Sequence, residues 1–381
     1  MRENSIIIKD PLYKQILVPI KFKELLDMPE FQRLRYIRQT SFTYSVYPCA
    51  THNRFSHSIG TFHLMNKVLN NGLTNIDETT KENLLIAALY HDIGHGPFSH
   101  LWEFIFPHFD HEQASYEILK SKGYEKAAKL LKETTSYSKL ISSSLDVDKL
   151  DYMARDSFFT GVSYGLLESD FILEHCYVKN NKLIILPSAL SSVEDLITQR
   201  INLYKTVYFH KVSLKYDFIF IKIFQRVNEL LKQEKLEITY QPLLNFFKKQ
   251  NTIQDLLELT DDIILYHIKI WSKNKDPILS DFCNMFLKRD KLKAINLSHV
   301  NIEKDNIKKI IEKNGYDINY YFGETKTPIK IIQSNIYVDY NDEIKSIFDV
   351  SPLLSFYKNE ELNVECVFFP KELEKQILNQ K

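Results

Sequence analysis

Apolar residues recur at helical spacing along most of the chain. Leu25, Leu26, Phe31, Leu34 and Ile37 predict a helix within 21–39, and Phe55, Ile59, Phe62, Met65 and Leu69 form one stripe over 55–70. Residues 81–92, KENLLIAALYHD, are apolar enough to predict a buried helix, and Gly94, Gly96 and Pro97 stop it near Asp92. Further helical patterns cover 112–121, 124–132, 145–156, 189–211, 213–234, 252–272, 277–288 and 303–314. The ends of the chain differ. Residues 5–18 read as short extended pieces around Asp10-Pro11, and 328–339 and 363–369 read as strands. The pattern predicts a mainly α protein, with a core and helical extension over 1–314 and a small α/β subdomain over 315–381.

Composition narrows this picture little and excludes some functions. Only 9 of 381 residues are glycine, which suits a helical chain. Lys+Arg and Asp+Glu both total 49, so the formal charge is zero. That balance argues against a protein that works by coating nucleic acid or an anionic membrane, although a local basic pocket is compatible with it. The four cysteines, Cys49, Cys176, Cys283 and Cys366, show no CxxC spacing and read as reduced thiols. The N-terminal residues meet charge and Pro11 too early for a signal peptide, and no apolar run approaches the roughly 20 residues of a membrane span. The expected location is the cytoplasm.

The chemistry is concentrated. Eight of the twelve histidines fall between 52 and 111. His91-Asp92 ends an apolar helix, where an imidazole and a carboxylate are costly to bury unless a divalent cation compensates both. An isolated His-Asp pair is ordinarily a helix cap; here HDIGHGPFSH adds two more histidines and two glycines directly after it. Another helix supplies His57, with Arg54 three residues earlier as a candidate phosphate fork. In DVDKLDYMARD, Asp148, Tyr152 and Asp156 share one helical face, which also fits a solvated acidic surface paired with Lys149 and Arg155. Two imidazoles and two carboxylates from three helices make a metal site with positions left for water and substrate.

The order His57, His91-Asp92, Asp148 resembles the HD superfamily of metal phosphohydrolases. The strings FQRLRYIRQ (31–39), HNRFSHSIG (52–60), LYHDIGHGPFSH (89–100), HEQAS (111–115), DVDKLDYMARD (146–156) and VYFHKV (207–212) are similar to its deoxynucleoside triphosphate (dNTP) triphosphohydrolase branch, as are DVSPLLS (349–355) and FFPKEL (368–373). The resemblance implies a helical HD core, a metal held by His57, His91, Asp92 and Asp148, and hydrolysis at the α-phosphorus to deoxynucleoside and tripolyphosphate. It implies His100 as general acid, with Glu103 and His111 supporting it. It gives Arg54 and His95 the α-phosphate, Lys149 and Arg200 the outer phosphates, and Gln39, Tyr152, Asp156 and Tyr208 the sugar and base end. Asp27, Gln32 and Arg35 match a nucleotide-effector element, but Ile6 stands where a phosphate-holding lysine is expected. Tyr204, Phe209 and Thr40 also depart from the mammalian pattern, which leaves the preferred base open.

The implied cofactor is a divalent ion, Mn, Fe, Zn or Mg, with Mg on the substrate phosphates. The implied partners are a dNTP, a nucleotide effector and further copies of the chain in a dimer or tetramer. A role in dNTP homeostasis or antiphage defence would suit such an activity. Two other readings fit the same residues: another HD phosphohydrolase, acting as a nucleotide phosphatase or a cyclic or oligonucleotide phosphodiesterase, and a non-catalytic nucleotide sensor or nucleic-acid-binding module.

Overall fold

A computed structural model describes residues 4–71, 76–133, 137–165, 168–180, 182–289, 291–297, 302–330, 332, 335–358 and 360–379, the side chains of 326–330 excepted. The extended N-terminal pieces pair as a hairpin, β1 (Ser5–Asp10) with β2 (Lys14–Pro19), which buries Ile16 and Val18. The apolar pattern over 21–39 does not make one helix. Met28 is extended (φ −59°, ψ 131°), the conformation a following proline favours, so Pro29 separates Lys23–Asp27 from Pro29–Gln32 and a 3-10 turn over Arg33–Tyr36.

The centre of the protein is α1 (Arg54–Leu69) packed on α2 (Glu78–Tyr90) and α6 (Val147–Thr160). Between them in sequence come α3 (His100–Ile105), α4 (His111–Ser121) and α5 (Glu125–Lys132). The stripe Phe55, Ile59, Phe62, Met65 and Leu69 is buried as expected, as is the end of α2 from Leu84 to Tyr90. Gly60 sets how closely α1 and α6 approach: a Cβ there would lie 1.9 Å from Asp151 Oδ1.

The patterns over 189–211 and 213–234 become α7 (Leu190–Leu203), a π-helical turn over Tyr204–Tyr208, and α8 (Lys211–Lys232). A helix that the pattern did not predict, α9 (Gln241–Lys248), follows with Pro242 in its first turn. The 252–272 pattern splits at Glu258–Thr260 into Ile253–Leu257 and α10 (Asp261–Trp271). Then come α11 (Pro277–Lys288) and α12 (Lys304–Lys313).

Two further sheets tie the C-terminal segment to earlier parts of the chain. One has the order β3 (Cys176–Lys179), β4 (Lys182–Ile185), β7 (Tyr337–Tyr340), β8 (Glu343–Ser346), with β4 and β7 parallel. The other places β9 (Glu361–Pro370) between β5 (Leu292–Asn296) and β6 (Gly323–Lys330). The segment expected as a subdomain over 315–381 thus completes sheets begun by residues 176–185 and 292–296. The expected strand over 328–339 straddles β6 and β7, and residues 331, 333 and 334 lie outside the described set. Ser351 caps the helix Pro352–Tyr357 and also hydrogen-bonds Glu194 of α7. The fold is mainly α, and no helix among the described residues is long and apolar enough to cross a membrane.

Buried apolar side chains form two clusters. One surrounds α1, α2, α6 and α7; the other is aromatic and surrounds α8, α9, α11 and β9. A cavity of about 930 Å³ is lined by residues of both.

Candidate active site

Three helices deliver the central cluster. Asn53 caps α1 by accepting from Ser56 N–H at 3.0 Å, and Arg54 and His57 occupy the first turn. α2 ends at Tyr90, with His91 as its cap and Asp92 next. Asp146 caps α6 by accepting from Lys149 N–H at 2.7 Å, which places Asp148 in that first turn. His57 Nε2 lies 3.2 Å from His91 Nε2 and 3.0 Å from Asp148 Oδ1. Asp92 Oδ1 is 3.3 Å from His91 Nε2, and Asp92 Oδ2 is 3.6 Å from His57 Nε2. Arg54 Nη1 donates to Asp92 Oδ2 at 2.5 Å.

The tautomers follow from the outer partners. His91 Nδ1 faces the Ala88 carbonyl at 2.9 Å and His57 Nδ1 faces Asp151 Oδ2 at 2.8 Å, so both nitrogens carry protons. Neutral rings therefore turn two Nε2 lone pairs toward each other and toward two carboxylates. A divalent cation satisfies all four groups, and His57, His91 and Asp148 offer donor atoms within 4.8 Å of one another. Protons are the other means of holding such a cluster. Burial would lower the His57 imidazole, but hydrogen bonds to Asp148 and Asp151 and the charge of Asp92 raise it to about 10. Against its own burial, Asp92 is held well below the usual carboxylate range by Arg54, His91 and His95.

Behind His57 stands a buried ion-pair network. Arg155 donates Nε and Nη2 to the two Asp151 oxygens at 2.8 and 2.9 Å, and Nη1 to Asp10 Oδ2 at 2.8 Å. Tyr13 OH donates to Asp151 Oδ1 at 2.9 Å. Burial raises the Asp151 carboxyl, but Arg155 and His57 outweigh it and bring it to about 2. The N-terminal hairpin thereby braces the His57, His91 and Asp148 cluster from outside.

A second cluster adjoins the first. The His95 and His111 rings stack with centroids 3.9 Å apart, and His95 Nε2 is 3.3 Å from Asp92 Oδ1. Glu103 Oε1 is 2.6 Å from His111 Nδ1 and accepts from His111 N–H at 3.1 Å, while Oε2 is 3.2 Å from His100 Nδ1. One carboxylate thus bridges two histidines. Burial opposes its ionisation, yet those hydrogen bonds hold it well below the usual range. His95 is also pushed down, well below an ordinary histidine, by burial and then by Arg54.

The turn that carries these groups is strained at Phe98 and Ser99, whose φ values of 57° and 61° are unusual outside glycine. Asp261 of α10 accepts from Phe98 N–H at 2.8 Å, and Ser99 Oγ accepts from Arg54 Nε at 2.8 Å. Gly94 and Gly96 serve close approach, not a left-handed turn: a Cβ would lie 2.2 Å from the His111 carbonyl oxygen at the first and 2.3 Å from the Trp102 ring at the second.

The comparisons with known proteins agree with this arrangement. The model of the HD domain matches residues 54–156, the span that holds His57, His91, Asp92 and Asp148. The uncharacterized protein YwfO of Bacillus subtilis is 30% identical, with 96% of this chain and 92% of that protein covered. The chain belongs to the HD-domain phosphohydrolases. Within that family it falls in the dNTPase-like branch. A Dictyostelium discoideum protein described as a deoxynucleoside triphosphate triphosphohydrolase SAMHD1 homolog is 31% identical over 61% of this chain, a stretch that spans 51% of the relative. The crystal structure of a phosphohydrolase from Bacteroides thetaiotaomicron superposes with a TM-score of 0.85 at 29% identity, covering 96% of this chain and 99% of that one.

Most of the residues singled out in the sequence line the cavity of this HD phosphohydrolase: Gln39, Arg54, His91, Asp92, His95, His100, His111, Asp148, Lys149, Tyr152, Asp156, Arg200 and Tyr208. His57 lies beneath its floor at 0% exposure, and Glu103 stands behind His100. Several polar atoms are poised for a ligand. Buried Arg200 Nε and Nη1, Gln39 Oε1 and His95 Nδ1 find no partner among the described residues. Asp27, Gln32 and Arg35 are not part of this lining. Asp27 pairs with Lys23, Gln32 Nε2 donates to the Leu26 carbonyl at 2.6 Å, and Arg35 Nε donates to Gln32 Oε1 at 2.8 Å.

Sequence reasoning missed two supports. Asp151 was one of four aspartates in its string, and its only signal was the i,i+4 spacing to Arg155. His52 Nε2 meets Asp156 Oδ1 at 2.7 Å, while Tyr208 OH donates to Asp156 Oδ2 at 2.6 Å, so both carboxylate oxygens are fixed. Nothing in the spacing of His52 and Asp156 shows that contact.

Proposed function

We propose that this HD phosphohydrolase hydrolyses deoxynucleoside triphosphates to deoxynucleoside and tripolyphosphate with a divalent metal ion. One observation carries the reading: a single cavity brings together the His91, Asp92 and Asp148 side chains, His100 and His111, which Glu103 links, and a buried Arg200 whose Nε and Nη1 find no partner among the described residues. A divalent cation held by His57, His91, Asp92 and Asp148 supplies Lewis acidity and an activated water.

The chain's own groups account for the rest. Arg54 and His95 hold the α-phosphate beside that cluster, and Lys149 and Arg200 take the outer phosphates. His100 Nε2 donates the proton to the departing 5′-oxygen. Its Nδ1 faces Glu103 Oε2, which fixes the ring and leaves Nε2 for the transfer. His111 holds Glu103 in place. Gln39 and Tyr152 close on the sugar where a 2′-hydroxyl would sit, and Asp156, fixed by His52 and Tyr208, receives the sugar's other edge. Magnesium on the phosphates, assembly as a dimer or tetramer, and an effector contact through Asp27, Gln32 and Arg35 belong to the same proposal.

The test is a product assay across the four dNTPs and four ribonucleotides with the metal-loaded protein. Tripolyphosphate with free deoxynucleoside is expected. Orthophosphate release points instead to another HD phosphohydrolase, and no turnover with any dNTP, with each nucleotide added in turn as activator, contradicts the reading. Gln39→Ala is expected to narrow the gap in kcat/KM between dNTP and ribonucleotide.

A further inference from the structure

Part of the cavity lining comes from α8. Ser213, Asp217 and Phe218 supply this part, which we call the arm, and the lining also includes Phe104 of α3 and Phe368 of β9, whose ring stacks on that of Phe218 with centroids 5.0 Å apart. Phe104 follows the proposed acid His100 by one turn of α3, so in the proposed reaction we assign this part of the lining to the departing nucleoside and Lys149 and Arg200 to the phosphates.

Ser213 and Asp217 are one helical turn apart on one face of α8. Ser213 is 4% exposed and its hydroxyl finds no partner among the described residues. Among the described residues no cation compensates Asp217, and burial pushes its carboxyl up to about 7. The arm's other carboxylate, Glu324, is already engaged by Lys304 at 2.6 Å. A half-buried carboxylate and an orphaned hydroxyl are poor neighbours for a phosphate and for a purely apolar group.

They suit a nucleobase, whose faces pack against aromatic rings and whose edge carries N–H donors. Tyr204 and Phe209 add stacked rings to the same lining, with centroids 5.8 Å apart. A carboxylate has acceptors only, and it pairs best with two adjacent donors. Guanine offers N1–H and N2–H side by side. Adenine and cytosine place a ring-nitrogen lone pair beside their amino group, and thymine flanks its single N–H with two carbonyls. We propose that Asp217 and Ser213 form the base-reading end of the cavity and select guanine, Asp217 accepting from N1–H and N2–H and Ser213 donating to a guanine acceptor. This assignment rests on the nucleotide reading above and names its preferred base.

Equilibrium binding of the four deoxynucleosides to the full chain tests it without requiring turnover. The wild type is expected to bind deoxyguanosine about ten- to hundredfold more tightly than the other three, the discrimination a good bidentate pair provides. Asp217→Asn replaces one acceptor with a donor and is expected to abolish that preference, with an unchanged circular dichroism spectrum. Ser213→Ala is expected to reduce it by a smaller factor. Equal binding of all four by the wild type, or a deoxyguanosine preference that survives in folded Asp217→Asn, overturns the assignment. Should Asp217→Asn not fold, Asp217→Glu and Ser213→Ala decide: an unchanged preference in both overturns it, and a loss in either supports it. A deoxyguanosine preference in a protein that releases no tripolyphosphate from any dNTP supports this assignment and overturns the proposed reaction.

Discussion

At the scale of single residues, the cluster divides into groups that bind and groups that hold the binders still. His100 is the proposed acid, and its ring touches none of the four metal-ligand candidates. His100→Ala is therefore expected to lower kcat about 10²- to 10⁴-fold while metal content, read by elemental analysis, stays at the wild-type level. Asp151 does the reverse. It reaches no cavity-lining ligand except through His57, which it fixes by Nδ1 at 2.8 Å. Asp151→Asn is expected to weaken metal affinity about 10- to 100-fold, since partners of this kind set ligand orientation and basicity. It also weakens the pairing of buried Arg155, so thermal stability should fall; an equal melting temperature and metal affinity in the variant would refute this role. The residue types of the site were legible in the sequence because histidines, aspartates and glycines are dense there. The part played by Asp151 was not. Three aspartates on one helix differ only in what faces them: His57 and His91 for Asp148, Arg155 and His57 for Asp151, His52 and Tyr208 for Asp156.

At the scale of elements, the active site is an assembly of helix starts and ends. Asn53 and Asp146 cap the helices that carry His57 and Asp148, and neither capping side chain contacts the side chains of the four proposed ligands. Asn53→Ala is expected to cost about 1 kcal/mol in thermal or denaturant unfolding. Gly60 is more demanding. With Asp151 Oδ1 1.9 Å from a prospective Cβ, Gly60→Ala must push α1 and α6 apart or displace Asp151. Overpacking of this kind costs about 1–3 kcal/mol, and metal affinity should fall with it. Wild-type stability and affinity in Gly60→Ala would contradict this view of the helix contact. Periodicity found α1, α2 and α6 because their apolar faces are continuous. It failed over 21–39, where Pro29 interrupts an intact apolar pattern, and over 204–208, where the π-helical turn keeps helical spacing while changing where Tyr204 and Tyr208 point. The short strands β3, β4 and β5 escaped because they are four or five residues long, and β4 and β5 find partners far along the chain, in β7 and β9.

At the scale of the molecule, the cavity joins two apolar clusters, and the C-terminal segment belongs to both. β9 is the central strand of its sheet, and β7 extends the sheet of β3 and β4. A chain ending at residue 314 would expose β5 and much of the aromatic cluster. It is expected to lose cooperative unfolding, and a sharp two-state transition from that fragment would show instead that residues 1–314 stand alone. This long-range pairing is what local patterning could not show. The catalytic proposal is most directly tested by one isotope measurement. Metal-loaded protein turns over a dNTP in oxygen-18-labelled water, and the products are resolved by mass spectrometry. Attack on the α-phosphorus with release of tripolyphosphate predicts label in the tripolyphosphate and none in the deoxynucleoside. Label in orthophosphate or in the deoxynucleoside hydroxyl would contradict it.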